Sequence, residues 1–102
     1  MNYDAYIKAA NRGDFQWEVT ECNDFGLVQE ETCTYKGKSV GVSVRIGNDN
    51  DFEVEVDWLT NEPLYIIQYR KSRKSARELA ERIVRNDREG NWEKNLKYAV
   101  EE

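Results

Sequence analysis

The chain has 102 residues, 34% charged and 39% hydrophobic, with a formal net charge of −5, two cysteines and no histidine. This length suits a single domain spanning residues 1–102, enough to bury about two thirds of the unfolded surface. Without imidazole there is no Ser-His or Cys-His nucleophile and no His-ligated metal, and two cysteines alone cannot form a four-thiolate site. Any catalysis would have to run on carboxylates, lysine, tyrosine or a bound cofactor, and a carboxylate-based enzyme is a third reading. The expectation is a protein that is not an enzyme and carries no cofactor or metal. No apolar run approaches the ~18 residues of a membrane span, and the N-terminus lacks a basic-then-apolar leader. The expectation is a soluble, cytoplasmic chain without a membrane role.

Tyr3, Tyr6, Ile7 and Ala10 share one stripe of a short N-terminal helix, which Gly13 is placed to end. Phe15, Trp17 and Val19 then alternate with polar residues, as a first strand should. Asn23-Asp24-Phe25-Gly26 is a turn cluster. In the second strand Cys33 and Tyr35 fall on the inner parity, and Glu30, Thr32 and Thr34 on the outer. Pairing Val19 with Cys33 puts Cys22 on the other face, so a Cys22–Cys33 disulfide is not expected. Lys36-Gly37-Lys38-Ser39 reads as a type II′ hairpin loop that pairs Tyr35 with Val40 and Cys33 with Val42.

The strongest pattern runs from Ser39 to Trp58. Val40, Val42, Val44 and Ile46 alternate with small or polar residues, and so do Phe52, Val54, Val56 and Trp58. Both apolar sets are even-numbered, so the intervening loop must be odd in length, pairing Ile46 with Phe52 and Val44 with Val54. Arg45 then opposes Glu53 on the outer face. After the chain's one proline, Leu64 to Tyr69 is β-branched and aromatic and reads as a fifth, edge strand. A helix is the competing reading there, because Pro63 also suits a first helical turn.

Ser75 and Glu78 form a capping box before the stripe Ala76, Leu79, Ala80, Ile83 and Val84. Gly90 punctuates the helix. Asn91 then caps a last helix with Trp92, Leu96, Ala99 and Val100 on one side. The expected fold is α+β: an N-terminal helix, a four- to five-stranded antiparallel meander, and two C-terminal helices packed on one face.

Charge is sorted along the chain. Residues 13–66 hold twelve acids and three bases, whereas residues 67–90 hold eight bases and four acids. The acidic side centres on Glu53, Glu55 and Asp57, which project the same way at about 7 Å per step, with Asp49 and Asp51 in the adjoining loop. That spacing is comparable with successive phosphates on one nucleic-acid strand, so the row could imitate a backbone and occupy a basic groove. The plain alternative is a solvated face kept soluble by charge. Asp49, Asp51 and Glu53 also resemble the start of a calcium loop, but Val54 stands where its glycine belongs and the closing glutamate is missing. No calcium site is expected.

The basic side is Arg70, Lys71, Arg73, Lys74 and Arg77, leading into a helix N-terminus that could receive an anion. The order helix, meander, helix with its Ser-Arg-Lys-Ser-Ala-Arg entrance resembles double-stranded-RNA-binding domains. The resemblance implies phosphate contacts at Arg73, Lys74 and Arg77. The chain lacks that family's Gly-Pro-x-His loop, carries an additional segment from Leu59 to Ser72 and is acidic, so membership is not claimed. The plain alternative is a solvated helix face with i, i+4 pairs such as Lys74–Glu78 and Arg77–Glu81. Leu64 to Tyr69, as a sheet edge, could also pair with a second copy of the chain.

These features favour a non-catalytic protein-binding domain over a nucleic-acid binder. Its sharpest form is an inhibitor, of the phage anti-defence or toxin-antagonist type, that presents the acidic row to a nucleic-acid-handling protein.

Overall fold

The computed structural model describes residues 13–25, 27–47, 51–56 and 66–98, with Trp92 described in its backbone alone. Five strands form one antiparallel sheet in sequence order: β1 (Phe15–Cys22), β2 (Val28–Tyr35), β3 (Lys38–Ile46), β4 (Phe52–Val56) and β5 (Ile66–Arg70). One α-helix follows, α1 (Arg73–Arg88), and then a 3-10 helix, Trp92–Tyr98. The fold is α+β, as expected. The N-terminal helix expected around Tyr3 to Ala10 lies outside the described residues. No helix among the described residues is long and apolar enough to cross a membrane.

The central hairpin follows from its alternation. Ile46 pairs with Phe52, Val44 with Val54 and Arg45 with Glu53 across a five-residue loop. A hydrogen bond from Gly47 N–H to the Asp51 carbonyl closes that loop at 2.8 Å. Ile66 and Ile67 belong to a strand rather than a helix, and β5 forms the sheet edge; residues 64 and 65 lie outside the described part.

Two registers differ from the sequence reading. In β1–β2, Cys33 opposes Trp17 rather than Val19, which faces Glu31. Cys22 is exposed, Cys33 is buried, and both are free thiols. In β2–β3 the reversal is at Lys36-Gly37, with φ of +51° and +80°, so that Tyr35 pairs with Lys38. Two positive φ values make this a type I′ turn, the one whose twist suits a hairpin. The expected frame returns at Thr32↔Ser43 because Cys33 alone faces Val40, Gly41 and Val42. Gly41 stands at φ +63°, a conformation that glycine adopts without steric penalty. Two extra residues are an even shift, so Val40, Val42 and Val44 all stay on the inner face.

The inner face is covered by α1. Phe15, Trp17, Cys33, Tyr35, the inner valines of β3 and β4, and Ile66 join Ala76, Leu79, Ala80, Ile83 and Val84 in one core. The helix begins earlier than the capping box at Ser75 implies. Ser72 is the N-cap, and its hydroxyl accepts from Ser75 N–H at 3.1 Å. At the other end Gly90, at φ +80°, lets the chain leave the helix, while Glu89 N–H donates to the Arg85 carbonyl.

The described part of the last segment is a 3-10 helix that turns Asn95 and Tyr98 inward, whereas Leu96 is about half exposed. Ala99, Val100 and the Trp92 side chain of the expected stripe lie outside the described residues. Asn95 accounts for this geometry. Its Nδ2 donates to the Ile83 carbonyl at 2.9 Å, and its Oδ1 accepts from Asn86 Nδ2 at 3.0 Å. A buried amide must find partners, and these bonds tie the segment to α1. Gln68 of β5 adds a hydrogen bond to the Tyr98 carbonyl.

The cap assignment separates two adjacent serines. Ser72→Ala should lower stability by about 1 kcal/mol in urea unfolding, and Ser75→Ala should change it by only a few tenths. The opposite ranking would restore the cap to Ser75.

Candidate functional site

The described helices lie on one face of the sheet, so the strands' outer parity forms the opposite face, on which Glu18 and Arg45 are exposed and Glu53 and Glu55 half-buried. Its charged members among the described residues are Glu18, Glu21, Glu30, Glu53 and Glu55, with Arg45 as the base. The acids therefore form a two-dimensional patch across β1, β2 and β4 rather than a line along β4. Glu53 lies between Arg45 and Tyr69, and Glu55 between Ser43 and Ile67. Asp49 and Asp57 lie outside the described residues. Asp51 has a different role: its carboxylate meets Lys71 at 2.5 Å, where the turn after β5 passes the central loop.

One feature of this patch is local repulsion held in check. Glu21 and Glu30 are direct cross-strand neighbours, a like-charge pair that is destabilising on its own. Arg45 answers both, reaching Glu30 at 2.7 Å and Glu21 at 3.6 Å. Thr20 donates a further hydrogen bond to Glu30. Beside this network the β2–β3 bulge leaves a shallow depression of about 340 Å³. Glu30 and Glu55 line it, with the hydroxyl residues Thr32, Ser39 and Ser43 and the side-chain-free Gly41. Such a lining suits hydrogen-bond donors carrying positive charge.

The basic segment is divided: Arg73 and Arg77 turn inward, while Arg70, Lys71 and Lys74 remain at the surface. Arg70 donates to the neighbouring Tyr69 carbonyl at 2.7 Å, and Lys71 holds Asp51. Arg73 bonds the Val28 carbonyl at 2.9 Å and stacks over Phe52, its guanidinium 5.1 Å from the ring centre. Arg77 points into the interior, where its Nε meets Glu31 Oε1 at 2.6 Å. Lys74 is exposed. Thus four of the five cations assigned to phosphates make contacts within the chain.

The Arg77–Glu31 pair is the site residue that sequence reasoning missed. Local pairing favours Arg77 with Glu81, four residues on, yet the direct partner lies 46 positions away on β2. The available signal was parity, since Glu31 shares the inner set with Cys33 and Tyr35. Glu31 is fully buried, and burial pushes its carboxyl up to about 7 against the downward pull of Arg73. Burial likewise lowers Arg77, and Glu81 opposes that shift. The Cys33 thiol is pushed up to about 12, first by burial and then by Glu81 and Glu31. A thiol held that high is a poor nucleophile at neutral pH.

Among the described residues, no three of Cys, Asp and Glu come together in a way that could hold a metal ion. Comparison with family models, curated proteins and solved structures returns no match for this chain.

The buried carboxyl has a signed consequence for stability. Its folded pKa of about 7 lies above the ordinary 4.5, so the folded state holds a proton that the unfolded state has released. The stabilisation is complete below about pH 4.5 and is lost as pH rises through 7. Between pH 5 and 8 the parent protein should lose on the order of 1–3 kcal/mol from this group, measured by denaturant titration. Glu31→Gln keeps an acceptor for Arg77 and should flatten that slope. An equal slope in both proteins would show that Glu31 ionises normally.

Proposed function

We propose that this chain is a non-catalytic protein-binding domain whose open, acidic sheet face docks against a basic groove on a partner. In its sharpest form it is an inhibitor of the anti-defence or toxin-antagonist type, in which the carboxylates imitate a nucleic-acid backbone. The observation that supports this most is the sorting of charge. Five carboxylates and one guanidinium occupy the described part of the outer face, while two of the five cations around α1's start, Arg73 and Arg77, are turned inward to Val28 and Glu31. A face of one sign attracts and orients a partner of the other, chiefly through the association rate. The depression at the bulge adds a place where a partner's lysine or arginine could be received by Glu30 and Glu55. No reaction is assigned: the buried thiol is held protonated, and the open-face acids are spread across three strands rather than gathered in an enclosed cleft.

Immobilised protein should retain one dominant protein from a lysate of its source at low salt, and nuclease treatment should not release it. Replacing Glu53 and Glu55 together by Lys should weaken that capture by at least about tenfold. The circular dichroism spectrum should still show the folded sheet, with a lower melting temperature because reversal at Glu53 sets a like charge opposite Arg45. Unchanged capture by the folded variant would overturn the reading. So would retention of nucleic acid alone with release at moderate salt, which would redirect attention to Lys74 and its neighbours.

A further inference from the structure

We draw no further inference here: the strongest candidate, the depression at the β2–β3 bulge lined by Glu30, Glu55, Thr32, Ser39 and Ser43, belongs to the acidic face already described, and nothing in the structure shows what covers it.

Discussion

A five-stranded meander has one apolar face, and here a single helix of sixteen residues provides its main cover. That constraint shapes the rest of the molecule. Each inner position must stay on the helix side, so the bulge between β2 and β3 can add two residues but not one. The helix's buried stripe of Ala76, Leu79, Ala80, Ile83 and Val84 has small residues at two places, which lets it approach the sheet closely. Arg85 over the Phe15 ring, at 5.3 Å, extends the cover to β1. The 3-10 helix completes it on the side of β5, held there by Asn95 and Gln68.

Into this apolar layer the chain places a charged contact between sheet and helix. Glu31 and Arg77 meet under β2, and taking both groups from water opposes folding. The short Nε–Oε1 bond offsets that cost, and a carboxyl able to take up a proton near neutrality limits it further. Buried pairs of this type contribute more to a unique arrangement than to stability in some proteins. Here the pair would fix how α1 is rotated over β2, because Leu or Ala at position 77 would leave only the apolar stripe to set the angle. Arg73, bonded to the Val28 carbonyl, acts in the same direction from the helix's first turn.

The sequence made the alternation legible and with it the strand order, the central hairpin and its register, since one-sided burial leaves a period-two trace. It left less trace of whatever depends on distant partners. Ser72 and Ser75 are both competent caps, and the choice between them is made by where β5 ends and the helix must start. Arg77 has an acid four residues away, which raises its pKa, and only the packed structure brings Glu31 to it as well. Asn95 overrode the amphipathic reading of the last segment because a buried amide with two partners outcompetes a leucine at the next position. The acidic face was legible in kind but not in extent. Period two identified the β4 carboxylates, whereas the β1–β2 register brought in Glu18, Glu21 and Glu30.

These same observations divide the charges into two populations. One group, Arg73, Arg77, Glu31, Lys71 and Asp51, connects elements distant in sequence through the inner layer and the turn after β5. The other lies on the outer face, where Arg45 links β3 to Glu30 of β2 and Glu21 of β1. Like charges directly across a ladder, as Glu21 and Glu30 are, work against pairing, so the sheet tolerates them only with Arg45 between them.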